Sequence, residues 1–164
     1  MIKNTVLMFC LFLFSLSVSA NSDIHKALDT FHQAAANADQ KLYFSLLDEQ
    51  AVFLGTDGSE RWSRKEFYDF VTPYFSQGRG WTYKPRERNI TLISTNENGE
   101  QIVFFDELLD NDSYGECRGS GVLRLTSKGW KILQYNLSIP IPNGISSKVV
   151  GDIEKYRQQL SPSR

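Results

Sequence analysis

Residues 103–121 read VFFDELLDNDSYGECRGSG, and the way this stretch divides decides the fold. Strand alternation puts Val103, Phe105, Glu107 and Leu109 on one face and Phe104, Asp106 and Leu108 on the other. The polar run DNDSYG, 110–115, is a turn, after which Glu116, Arg118, Ser120 and Val122 share a face. Such a hairpin brings position 107 close to position 118, within a residue or so of register. Burial among phenylalanine and leucine disfavours a charged carboxylate, whereas a neighbouring guanidinium holds it ionised. Glu107 and Arg118 are therefore the candidate catalytic pair, and a plain cross-strand ion pair is the competing reading.

Working outward, the same period-two texture recurs on both sides. Residues 81–93 are rich in Trp, Tyr, Thr and Ile and run into NENGE, whose Asn-Gly is a hairpin signal. Downstream come GVLRLT, the turn SKG and WKILQYNLSI. Together these predict an antiparallel meander of about four strands. The region before it has helical spacing instead. Ile24, Leu28, Phe31, Ala35 and Ala38 form one apolar stripe, and DQKLYFSLLDE, 39–49, is a shorter helical segment leading to the β-prone AVFLG. A third helix starts at the capping box Ser63/Glu66, carries Phe67, Phe70, Val71 and Tyr74 on one face, and is kinked or closed by Pro73. After PIPNG, Val149, Ile153, Tyr156 and Leu160 predict a C-terminal amphipathic helix within 146–164. Helices followed by strands give an α+β domain over 21–145 with the helices on one face of the sheet. Glycines 115, 119 and 121 help that sheet bend, and a curled sheet with helices across its mouth encloses a cone-shaped cavity.

The first 20 residues are a processing signal in this reading. Lys3 precedes the apolar TVLMFCLFLFSLSV, and VSA ending at Ala20 suits a signal peptidase. A membrane anchor is the alternative for a run of that length; the serines at 15, 17 and 19 and the polar NSD favour cleavage. The expectation is export to a periplasm or the outside, with no membrane attachment afterwards. Cleavage leaves about 140 residues, one domain's worth, and Cys117 as its single cysteine, so an apolar core and not an intrachain disulfide must hold the fold. A formal net charge of −1 without a basic run excludes a nucleic-acid footprint.

FLGTDGSERWS (53–63), YFSQGRGWTY (74–83), FFDELL (104–109), YGECRGSGVLR (114–124) and GWKILQYNLSIPIPN (129–143), in this order and spacing, resemble the SnoaL-like branch of the nuclear transport factor 2 (NTF2-like) superfamily, which includes ketosteroid isomerase and polyketide cyclases. The resemblance implies an NTF2-like cone with a concave ligand face, no cofactor, and a homodimer formed through the sheet. It specifies the fold far better than the reaction.

Further candidates follow from position. Glu60 and Trp62 lie on the loop entering the third helix, a natural cavity rim, while Asp57-Gly58 reads as turn chemistry. Tyr74 and Trp81 flank SQGRG and are candidate rim aromatics; Asn136 on the last strand is a candidate hydrogen-bonding group or a satisfied cross-strand amide. Tyr83, Trp130 and Tyr135 read as packing residues. His25, Asp29 and His32 share a helix face, which is read as solvated and not as a metal site. The functional expectation is an exported cone domain that binds a small, partly apolar molecule. Cofactor-free acid–base chemistry of the isomerase, dehydratase or cyclase kind is one option, and a non-catalytic binding or assembly module is the other.

Overall fold

The computed structural model describes residues 22–160; the expected signal segment lies outside them. Helix α1 covers residues 22–36 and buries Ile24, Leu28, Phe31 and Ala35 of the predicted stripe together with Ala34, while Ala38 lies past its end and is partly buried. It stops at Ala38, whose φ of 54° turns the chain sharply. The Asp39 amide then reaches back to the Ala34 carbonyl at 2.9 Å, satisfying a carbonyl left over at the helix end. The Asp39 side chain simultaneously caps α2, Gln40–Ser45, by accepting from the Leu42 amide. This second helix is shorter than its sequence pattern suggests. Tyr43 and Phe44 are its buried residues, and β1 begins at once, spanning Leu47–Leu54.

Strand β2, Arg61–Ser63, is an element that the sequence pattern does not reveal, and it pairs antiparallel with β1, Phe53 opposite Trp62. Helix α3, Arg64–Phe75, starts at the expected reciprocal capping box and buries Phe67, Val71 and Phe75. Pro73 neither ends nor interrupts it, because the helix closes two residues later, at Phe75. The four predicted strands are β3, Lys84–Thr95, β4, Gln101–Asn111, β5, Gly115–Thr126, and β6, Gly129–Ser138. They form the expected antiparallel meander. The full sheet has the order β2-β1-β6-β5-β4-β3, with β1 parallel to β6 as the long-range closure.

Along β4 the residues Val103, Phe105, Glu107 and Leu109 are buried and Phe104 is exposed, the alternation expected from the sequence. The inner face continues on β5 through Cys117, Gly119 and Leu123, and on β6 through Ile132, Tyr135 and Leu137. The helices cover this inner face, and the core fills the space between. Helix α4, Ser146–Leu160, follows a short 3₁₀ turn and buries none of its residues. No helix among the described residues is long and apolar enough to cross a membrane.

Candidate functional site

Glu107 is the organising residue. It points inward from the middle of β4, is 1 % exposed, and its two carboxylate oxygens are divided between different partners. Oε1 lies 2.7 Å from His32 Nε2 of α1 and accepts the Tyr135 hydroxyl of β6 at 3.0 Å. Oε2 accepts from Arg88 Nε of β3 at 2.8 Å. The same guanidinium donates through one terminal nitrogen to Asp29 Oδ1 at 2.8 Å and to the His25 carbonyl at 3.1 Å, tying β3 to α1. Four elements thus converge on one carboxylate, and a charged chain runs from the exposed Asp29 to the protein interior.

Burial, the largest influence on Glu107, pushes its pKa up; the hydrogen bond and charge of His32 and those of Arg88 together outweigh it and hold the carboxyl below the usual range. Glu107 is therefore an ionised, acceptor-only group. Tyr135 responds in the opposite sense. Burial first, and then the charge and hydrogen bond of Glu107, hold its phenol well above the usual range, so it remains a neutral donor. Gly119 is what allows the contact. A Cβ there would lie 2.2 Å from the Tyr135 oxygen and 3.0 Å from Glu107 Cγ, so this glycine makes room for a hydrogen bond, a more specific role than bending the sheet.

The sequence reading paired Glu107 with Arg118. The register puts Gly119 opposite Glu107 and Arg118 opposite Leu108. Arg118 is consequently exposed on the outer face, and Arg88, from the preceding strand, is the guanidinium that reaches the carboxylate. Asn136 likewise pairs with Ser120 on the outer face and does not line the cavity. His32, expected on a solvated helix face, is 7 % exposed. Its position four residues after Leu28 places it at the edge of the apolar stripe; an isolated histidine there was the available signal.

His32 and Tyr135 separate Glu107 from a cavity of about 310 Å³ between the sheet and the helices. The expected rim residues Glu60, Trp62, Tyr74 and Trp81 all line it. Phe53 and Phe67 stack with ring centroids 3.9 Å apart, and Trp62 stacks on Phe70 at 4.7 Å, giving one wall of offset aromatic rings. Phe70 and Tyr74 sit one turn apart on the exposed flank of α3 and form part of the mouth, while Phe67, Val71 and Phe75 hold the helix to the core. Trp81 is anchored beside α1 by its amide, which donates to the Ala35 carbonyl at 3.2 Å. Asp57 makes the expected turn, accepting from the Ser59 amide and hydroxyl. Among the described residues no group of three or more His, Cys, Asp or Glu side chains is arranged to hold a metal ion.

The SnoaL-like domain family matches residues 24–142. No curated protein matches the chain in sequence. Among solved structures, an NTF2-like protein of unknown function from Pseudomonas putida is similar at 10% identity and a TM-score of 0.59, covering 77% of this chain and 90% of its own. A proposed dehydratase of the NTF2-like family from Streptomyces avermitilis is similar at 13% identity and a TM-score of 0.59, covering 76% and 99%. A proposed calcium/calmodulin-dependent protein kinase II association domain from Xanthomonas campestris is similar at 18% identity and a TM-score of 0.51, covering 73% and 86%. At these identities the likeness is one of fold, and with the family match over most of its length the chain belongs to the SnoaL-like domain family with an NTF2-like fold.

Proposed function

We propose that this protein binds a small, largely apolar organic molecule in its cone and moves a proton on it with His32, without a cofactor. The observation that carries this reading is the placement of one ionised, buried carboxylate behind both a histidine ring and a tyrosine hydroxyl at the cavity wall. With Glu107 ionised, the His32 Nε2–H donates to it. Nδ1, which has no hydrogen-bond partner among the described residues, is the basic nitrogen of the neutral ring and the acid of the charged one. When Nδ1 takes a proton, the imidazolium that forms is stabilised by the carboxylate at 2.7 Å. Arg88 keeps Glu107 from accepting that proton itself, and Tyr135 fixes the carboxylate in plane. Glu107 and Arg88 are positioning residues in this scheme, and His32 is the group that meets the ligand. Dehydration, isomerisation and cyclisation all begin with such a proton transfer, and the Streptomyces avermitilis relative is a dehydratase candidate.

The same reading includes export directed by residues 1–20 and pairing of two copies through the outer sheet face, where Phe104 is 45 % exposed. A second reading, a binding or assembly module without turnover, is favoured by the association-domain likeness. Deuterium exchange at the α-carbon of 2-tetralone in D₂O, followed by NMR, separates the two without knowledge of the natural substrate. Exchange accelerated by the protein and lost in His32→Gln supports proton transfer; a probe that binds without accelerated exchange leaves the binding module.

A further inference from the structure

Glu60 is the one carboxylate among the described residues that line the cavity. Its carboxylate stands in the wall, whereas His32 and Tyr135 at the base are both turned to Glu107 by their hydrogen bonds. No lysine or arginine is among the described residues that line it. Arg88 lies behind Glu107, engaged with Glu107 and Asp29, and the guanidinium expected to clamp an anion, that of Arg118, is on the other side of the sheet. Around Glu60 the wall is aromatic: Trp62, Phe70, Tyr74, Trp81, Tyr83 and Tyr114. Indole and phenol faces carry negative quadrupole charge and attract cations. Tyr74 already shows this attraction, with the Arg79 guanidinium carbon 5.2 Å from its ring centre.

Glu60 is held in this position by its surroundings. The Gly55 amide donates to the Glu60 carbonyl at 2.9 Å, closing the turn, and the Asp57 amide donates to Glu60 Oε2 at 3.1 Å. Oε2 lies over Gly55, where a Cβ would come within 2.2 Å of it. The carboxylate thus occupies space that only a glycine leaves open. Its charge is felt within the cavity: burial is the main cause of the raised pKa of the Tyr83 phenol, and Cys117, Tyr114 and Glu60 add to it.

From this arrangement we infer that the ligand is an organic cation, an amine or ammonium group on an apolar body, with the charge at Glu60 among the rim aromatics and the apolar part directed toward Phe53, Phe67 and His32. This rests on the cavity being a small-molecule site, as proposed above, and specifies the charge of what it takes. Aromatic faces and one carboxylate together favour a cation over a neutral isostere by about tenfold.

Isothermal titration with 4-phenylbutylamine, 4-phenylbutan-1-ol and 4-phenylbutanoate, which share a body and differ in charge, tests it at pH 7. The expected order is amine tightest, alcohol about tenfold weaker, carboxylate weakest. In Glu60→Gln the amine should fall to the alcohol's affinity while the alcohol is unchanged, which also shows the cavity to be intact. Gly55→Ala, which displaces the carboxylate without removing it, should reproduce that loss. Alcohol or carboxylate binding as tightly as the amine overturns the cation assignment and leaves the small-molecule site standing. Equal weakening of all three probes in Glu60→Gln also overturns it, since Glu60 would then be holding the turn and not the charge. Binding of none of the three at millimolar concentration removes the cavity reading together with this one.

Discussion

Arg86 and Arg88 are two residues apart on the same strand, yet the fold uses them in opposite ways. A register shift between Pro85 and Glu87 leaves Arg86 unpaired in the ladder, a bulge that turns it out of the alternation. Its guanidinium meets Asp110 at 3.1 Å and also Glu116, and all three side chains remain about half exposed. Arg88, back in register opposite Glu107, is 7 % exposed against a carboxylate with no exposure at all. Each cluster sets one arginine against two acids, and the inner one adds His32 and Tyr135 on Glu107. Solvent makes the difference. Outside, water competes for every charge and the side chains lose entropy by pairing; inside, Arg88 and Glu107 have left water and depend on their partners, while Asp29 at the outer end stays solvated.

The comparison is tested most severely by removing the inner guanidinium. Arg88→Met fills much of the same volume but leaves Glu107 and Asp29 without their cation. The expected loss is about 3–5 kcal/mol, the cost of an uncompensated buried charge, measured by urea unfolding. A loss under about 1 kcal/mol would mean that water reaches Glu107 and that inner and outer clusters are energetically alike.

Acid provides a second separation. Because the folded protein holds Glu107 below its ordinary value of 4.5, the unfolded chain binds a proton first as pH falls. Stability from this group is therefore fully present above about pH 4.5 and is lost as pH drops through the folded value. Glu107→Gln should be less stable at neutral pH and show a flatter acid limb below the ordinary carboxylate value. An unchanged limb would assign the acid sensitivity to other carboxylates and deny Glu107 its lowered pKa.

Gly119→Ala acts on the same cluster through its geometry. The new methyl collides with the Tyr135 hydroxyl, with an expected cost of about 1–3 kcal/mol for the overpacking and displaced hydrogen bond. In Tyr135→Phe/Gly119→Ala the second change should cost less than it does alone, because the oxygen it meets is gone. If the two costs simply add, the glycine serves the sheet and not the hydroxyl.

How much of this was legible in the sequence follows from the range of each determinant. Alternation is local, so the inward direction of Glu107, the hairpin around it and the meander were all readable from residues 103–121. Helix starts are local too, as the Ser63/Glu66 box illustrates. Which residue faces Glu107 across the sheet is not local: it depends on register, and one residue of slip exchanges Arg118 for Gly119. The bulge at Arg86 and the parallel pairing of β1 with β6 have no signature within their own strands. His32 was missed for a related reason, since its burial is decided by Glu107, 75 residues away, and not by the helix that carries it. The rim was more accessible because Glu60, Trp62, Tyr74 and Trp81 adjoin turns, and turns are where chain ends of elements meet a cavity.

The smallest expected effect is the one that completes the comparison. Arg86→Ala removes a cation with two acidic partners, as Arg88→Met does, and a count of ion pairs would rank them equally. Exposed pairs contribute about 0–1 kcal/mol, so Arg86→Ala should shift stability by less than 1 kcal/mol, and half-molar salt should reduce that shift because counterions reach and screen exposed charges. Salt should leave the effect of Arg88→Met nearly unchanged, since counterions cannot approach a group enclosed by α1 and the sheet. A salt-resistant loss at Arg86 would place the bulge itself, and the turn of β3 that it makes, among the structures that the outer ion pairs hold in shape.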